Sequence, residues 1–293
     1  MPSLKQIRTK INSVKGTRRI MSAMKLISAV KLQKVQGTLL SSRPYSHAMK
    51  EIAGSIALRC DPEWHPLLRD PEETKNIQLV FMTSDRGLCG SFNSNLIRKI
   101  ETYMVTDAPR YENVSFRFIG RRGRDHFARS GVAVTDSVIG LNERNYGDVS
   151  GAVSKALVRE YTGGRIDEAV LVYNYFKSAL TQIITFERVL PIEPLEGASE
   201  QDGVYADYKY EPQRKELLDG VLPRYVEARV QRAVLETLTS EQASRMTAMD
   251  NATRNADSVI SQLTLLFNKT RQANVTSELM DIVNGTESMK KGG

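Results

Sequence analysis

Apolar positions at the start of the chain recur in steps of three and four. Leu4, Ile7, Ile11, Val14, Arg18, Met21, Met24, Ser28, Leu32, Val35 and Leu39 fall on one seam, interrupted by one basic and one small residue. That spacing predicts a single coiled-coil-like helix with Ser3 as its N-cap. Gly16 and Gly37 weaken it locally. Pro44 would end or kink it, but the apolar spacing resumes at Met49, Ile52, Ile56 and Ala57. The reading is therefore a kinked helix from residue 3 to about 58, roughly 80 Å long. A second such pattern closes the chain. Leu235, Leu238, Gln242, Met246, Met249, Ala252, Ala256, Val259, Leu263 and Leu266 again step by three and four. They predict a helix from about residue 213 to about 283, with Pro223 as an early interruption.

Between the two seams the pattern changes. Residues 59–76 are rich in Pro and charge and read as a linker. Ile77–Thr83 is a short β-branched and apolar run. A glycine-containing loop, Ser84 to Ser91, follows it, and then a helical stretch from about Asn93 to Met104. Val114–Gly120 and Val132–Val138 read as further strands, Arg124–Ser130 and Ser150–Tyr161 as helices, and Ala169–Phe176 with Leu180–Leu190 as a strand pair turning near Lys177–Ser178. Alternating strands and helices indicate a doubly wound α/β domain over 77–212. The last part, 193–212, is acidic and reads as a boundary loop. The expected organisation is an N-terminal coiled-coil helix (1–58), a linker (59–76), an α/β domain (77–212) and a C-terminal coiled-coil helix (213–293). Neither long helix can bury its seam on so small a domain, so the two are expected to pack antiparallel on each other. Ala23, Ala29, Ala243, Ala248, Ala252 and Ala256 suit a close approach.

Composition narrows the function classes. The 293 residues carry a net charge of +7 and a mean hydropathy of −0.35. No apolar run nears the roughly 20 residues of a membrane helix, and no secretory leader is expected. Two cysteines, Cys60 and Cys89, make no disulfide framework, and no Cys/His spacing suits zinc. The charge is uneven. Residues 1–60 hold twelve Lys and Arg against the single acid Glu51. Such a segment suits an anionic partner.

Candidate chemistry is sparse. The Ser84–Ser91 loop sits where phosphate-binding loops sit, but it lacks both Gly-Lys-Ser/Thr and G-x-G-x-x-G. A tight turn using glycine for positive φ is the favoured reading. His47, His65 and His126 are isolated, and Cys89 has no neighbouring base, so a structural thiol is expected. No paired carboxylates, metal-ligand set or catalytic triad stand out. Three readings are open on the residues alone. One is a mechanical or interaction protein. Another is a nucleic-acid-binding coiled coil, whose basic helix lacks aromatics before Tyr45 for base stacking. The third is a small-molecule enzyme using the Ser84–Ser91 loop.

Three separated motifs decide among them. The start, Met-Pro-Ser-Leu-Lys-Gln-Ile-Arg-Thr-Lys-Ile-Asn-Ser-Val-Lys-Gly-Thr-Arg-Arg-Ile-Met-Ser-Ala-Met-Lys-Leu, resembles the N-terminal signature of gamma subunits of F-type ATP synthases. Ser84-Asp85-Arg86-Gly87-Leu88-Cys89-Gly90 followed by Asn93 is similar to that family's central motif. The stretch from Ser240 through Thr253 to Asn268-Lys269-Thr270-Arg271-Gln272-Ala273 is similar to its C-terminal signature. The resemblance implies a long antiparallel two-helix coiled coil with an inserted Rossmann-like α/β domain. It implies the function of a central rotor shaft, coupling proton flow through a membrane ring to ATP synthesis by rotation inside an alpha/beta hexamer. The expected partners are the alpha and beta subunits, the epsilon subunit and the c-subunit ring, with no nucleic acid and no cofactor.

The same resemblance assigns contacts rather than catalysis. Met24 and Arg245 match positions that meet the acidic lever region of beta. Arg271 and Gln272 match a pair that contacts a catch loop near the top of the hexamer. Thr276 and Glu278 match neighbouring positions linked to coupling, and Leu279, Ile282 and Val283 resemble the apolar tip seated in the bearing. No catalytic or metal-binding residue is expected in the chain, and thiol control of the chloroplast type is not expected. Membrane association is expected only through the complex, at the cytoplasmic face of a bacterial inner membrane; a mature organellar protein is the alternative.

Overall fold

The computed structural model describes residues 3–132, 134–194 and 214–291. The chain is a mixed α/β protein with a long helix at each end. Helix α1 is Leu4–Arg59 and passes through Pro44 without a break. It is followed by 3-10 turns at Pro62–Trp64 and Pro66–Leu68. Then come β1 (Asn76–Met82), α2 (Phe92–Thr106), a 3-10 turn at Ala108–Arg110, β2 (Asn113–Ile119) and α3 (Arg121–Phe127). A 3-10 turn at Ala128–Ser130, β3 (Val134–Val138), α4 (Tyr146–Thr162), β4 (Glu168–Phe176), β5 (Gln182–Leu190) and α5 (Arg214–Lys291) complete it. Most of the boundary loop expected over 193–212 lies outside the described residues. Helix α5 runs past Val283, because the single Gly285 costs only about 1 kcal/mol in a helix interior.

The chain divides into two compact units. The larger, Ser28–Arg245, contains the sheet, ordered β3-β2-β1-β4-β5. The first four strands are parallel and β5 pairs antiparallel with β4. Period-two alternation sorts the faces. Ile77, Leu79, Phe81, Phe116, Phe118, Val170 and Val172 turn to one side and pack with Leu96 and Ile100 of α2 and Phe127 of α3. Phe116 and Phe118 are stacked, and Phe81 meets Phe127 edge-on with centroids 5.7 Å apart. The opposite face holds a polar knot: Glu160 of α4 accepts from Gln78 at 2.8 Å and from Arg117 at 2.8 Å.

Three elements start elsewhere than the residue pattern suggests. Helix α4 begins at Tyr146, four residues before Ser150, with Asn145 at the position preceding its first turn. Helix α3 begins at Arg121, directly after Gly120. Strand β5 begins at Gln182, leaving Leu180 in the turn and exposed. The residues read as a polar linker also bury Leu67 and Leu68, and Ile192 N–H donates to Leu67 O at 3.0 Å.

The smaller unit combines residues 1–27 with 246–293. Here α1 and α5 pair antiparallel. Arg18 meets Asp257 at 2.5 Å and Lys25 meets Asp250 at 2.5 Å, so a step of seven along one helix is a step of seven back along the other. Ile7, Ile11, Met249 and Ala256 are buried at the seam. The same offset sets Leu4, where α1 begins, opposite Arg271. The remainder of α5 therefore runs past the end of its partner, and residues 271–284 are all exposed.

Candidate functional site

The loop Ser84–Ser91 leaves β1 and is held from within. Ser84 N–H donates to Asn93 Oδ1 at 3.0 Å, and Asn93 Nδ2 donates to Ser84 Oγ at 2.7 Å. Ser84 Oγ contacts Arg86 O at 2.7 Å. Asp85 reaches outward: its carboxylate accepts from Arg121 N–H at 2.8 Å and Gly140 N–H at 2.7 Å, tying together the loops after β1, β2 and β3. The tight path needs left-handed backbone at Leu88 (φ 63°) and Gly90 (φ 59°). Gly120 faces the same junction at φ +103°, and a Cβ there would sit 2.1 Å from Thr83 O. Burial pushes the Cys89 thiol up, away from the reactive thiolate. The loop is a self-satisfied turn, as its residue pattern favours, and Cys89 is a structural thiol.

The loop's outward carbonyls are used by α5. Ser244 Oγ donates to Cys89 O at 2.8 Å, and the Arg245 guanidinium reaches Arg86 O and Gly87 O at 3.4 Å each. Arg245 also pairs with Glu241 one turn earlier at 2.7 Å. Burial raises the Glu241 carboxyl, and Arg245 opposes that rise. Ser240 Oγ donates to Asn174 O at 2.9 Å, and Thr237 Oγ1 lies 3.6 Å from Met82 Sδ. Thr237, Ser240 and Ser244 thus form one stripe across the carboxyl ends of β1 and β4.

Strand order reverses between β1 and β4. That switch point is where doubly wound sheets ordinarily hold ligands. Here the chain's own helix fills it. Sequence reasoning found the loop and the C-terminal signature separately but missed that they meet. The available signal was the density of hydroxyls, Thr237, Thr239, Ser240 and Ser244, in a helical stretch.

The remaining groups offer little chemistry. Beside the loop an open cleft is lined by Arg122, Asp125, His126 and Arg129. Two of these groups are engaged nearby: His126 contacts Glu101 at 2.8 Å, and Arg124 contacts Asp125 at 2.6 Å. Among the described residues no cluster of His, Cys, Asp and Glu could hold a metal ion. No described helix is long and apolar enough to cross a membrane.

The contact residues suggested by resemblance fall in separate surroundings. Met24 is half-buried in the smaller unit, next to Lys25 and its ion pair with Asp250. Arg245 is buried in the larger unit against Glu241 and the loop carbonyls. Arg271, Gln272, Thr276 and Glu278 lie on the exposed part of α5, followed by exposed Leu279, Ile282 and Val283. The family profile described as ATP synthase matches residues 3–289. An ATP synthase gamma chain from Anaeromyxobacter sp. (strain Fw109-5) is 42% identical over 99% of this chain and 100% of its own length. One from Bdellovibrio bacteriovorus is 39% identical, again over 99% of this chain and 100% of its own.

The chain belongs to the ATP synthase gamma chain family.

Solved structures agree on the fold of this gamma chain family member. A chain of the Euglena gracilis mitochondrial ATP synthase (OSCP/F1/c-ring, rotational state 3) superposes with a TM-score of 0.70 at 17% identity, covering 99% of this chain and 95% of the other. A central-stalk chain of the Tetrahymena thermophila mitochondrial enzyme gives 0.61 at 24% identity, covering 80% and 99%.

Proposed function

We propose that this gamma chain is the non-catalytic central shaft of an F-type ATP synthase, turning inside an alpha/beta hexamer to couple proton flow through a c-subunit ring to ATP synthesis. The observation that carries the reading is the antiparallel pairing of α1 and α5, with α5 continuing past its partner as an exposed helix. Leu279 and Ile282 are exposed on this part of α5, and a surrounding partner would cover them. The chemistry belongs to the hexamer, which fits a chain whose would-be ligand crevice is occupied by its own Thr237, Ser240 and Ser244.

Met24, Arg245, Arg271, Gln272, Thr276 and Glu278 are the proposed partner contacts. Arg271 offers a forked set of donors suited to a carboxylate, and Gln272 adds a neutral donor and acceptor. Arg245 reaches a partner loop through whatever donor capacity Glu241 and the loop carbonyls leave. Epsilon and the c ring are the proposed partners of the globular part. The complex places the chain at the cytoplasmic face of a bacterial inner membrane. Charged and polar contacts suit a rotor, because exposed ion pairs are weak and are remade at each position. Co-expression with alpha and beta subunits tests the reading. A stable complex retaining ATPase activity supports it, whereas a chain that elutes alone while alpha and beta assemble overturns it.

A further inference from the structure

Glu236 has a side chain with no exposed surface. One oxygen, Oε2, accepts the Phe176 N–H at 2.9 Å. The other, Oε1, accepts Arg43 Nη2 at 3.0 Å, with Arg232 Nε 3.8 Å away one turn earlier in α5. Arg43 Nη2 also donates to Phe176 O at 3.2 Å, and its guanidinium lies over the Tyr175 ring, 5.4 Å from the centroid. These contacts close a ring of three: α5 holds β4, β4 holds α1, and α1 holds α5. All of its members lie in the larger unit.

Stability alone gives little reason for such a group. Burying a carboxylate carries a desolvation cost, and apolar replacements of buried ion pairs are often neutral or stabilising. Apolar contact is non-directional and resists separation more than rolling or sliding. Charge-assisted hydrogen bonds from a planar guanidinium fork fix orientation as well as distance. Resistance to twist is what a joint between a sheet and two long helices requires if the assembly turns under load.

We propose that Glu236 is a positioning residue for torque transfer, locking α1 and α5 to the end of β4 so that rotation of the sheet is handed to both helices. The proposal rests on the rotor reading above. Glu236→Leu, Glu236→Gln and Arg43→Met test it in the assembled enzyme in inverted membrane vesicles. Three quantities are measured: the amount of complex, the rate of ATP hydrolysis, and the protons pumped per ATP by quenching of an acridine dye. Hydrolysis per assembled complex persists, while pumping per ATP falls about threefold or more in Glu236→Leu and Arg43→Met, the scale seen for mutations along a coupled network. Glu236→Gln falls less, because its amide oxygen still accepts the Phe176 N–H. Arg43→Lys keeps the charge without the fork and recovers part of the loss.

Equal pumping per ATP in wild type, Glu236→Leu and Arg43→Met overturns the proposal. So does a loss confined to the amount of complex, which is the mark of a merely structural role. If Glu236→Leu or Arg43→Met fails to assemble, the double variant Arg43→Met/Glu236→Leu decides, since it removes the pair together and leaves no unpaired charge buried. A wild-type chain that neither assembles nor pumps removes the rotor reading and this inference together. A coupled wild type with unaffected variants removes only the inference.

Discussion

Gly120 sits where β2 ends and α3 begins, with φ +103° and no room for a Cβ beside Thr83 O. Gly120→Ala combines backbone strain with a clash against main chain, which cannot swing aside. A loss of roughly 2–4 kcal/mol is expected, read as a lower urea midpoint with an unchanged slope. An unchanged midpoint would show that the junction relaxes freely. His65 makes a different case. Its Nδ1 accepts the Leu67 N–H at 3.1 Å, so that nitrogen must be unprotonated, and Nε2 lies 3.3 Å from Asp219. Burial lowers its pKa below the ordinary 6.5, and Asp219 opposes this more weakly. A group with a depressed folded-state pKa contributes stability that is present above its unfolded value and is lost as pH falls through the folded one. His65→Asn keeps an acceptor for Leu67 and removes the titration. The melting-temperature difference between about pH 7.5 and about pH 5.5 is expected to shrink in that variant. An identical difference would mean that other groups set the acid response.

The elements differ in how far they could be read ahead of the coordinates. The three-and-four spacing marks α1 and α5, and Pro44 lies within a continuous helix, as the apolar positions that return after it indicate. The strands β1 and β4, buried along almost their whole length, stood out as apolar runs. The docking stripe of α5 did not, because Ser and Thr in a helix read as solvent-facing and only the fold reveals their carbonyl partners. Leu67 and Leu68 were hidden in the same way by surrounding proline and charge. The contact residues came from family resemblance alone, because an exposed Arg or Gln carries no local pattern that names its partner. Exposure also sets local stability along α5. Amide exchange in the free chain is expected to be fast over 265–284 and slow in β1, where Leu79, Val80 and Phe81 are buried. Uniformly slow exchange along α5 would contradict the exposure of its C-terminal part.

At the scale of the whole molecule, charge and exposure acquire a mechanical meaning. The basic N-terminal segment is not a free polycation: Arg18 and Lys25 are paired with carboxylates of α5, and Lys31 with Glu143 at 3.4 Å. Arg43, further along the same helix, is held by the buried Glu236 at 3.0 Å. At a partly desolvated contact, truncating the charged partner costs about 2–5 kcal/mol. Arg271→Leu is therefore expected to impair ATP synthesis and steady-state hydrolysis more than Lys10→Leu does. Nucleotide affinity of the isolated subunits should not change. Measuring assembled complex alongside turnover separates lost assembly from lost rotation, and normal values of both would remove Arg271 from the mechanism. The central claim, that this chain is a shaft that turns, is tested most directly by watching it. With the alpha/beta hexamer fixed to a surface and a bead on the larger unit of this chain, ATP should drive unidirectional rotation that stops when nucleotide is withdrawn. A bead that stays in place while the same complexes hydrolyse ATP would contradict the account.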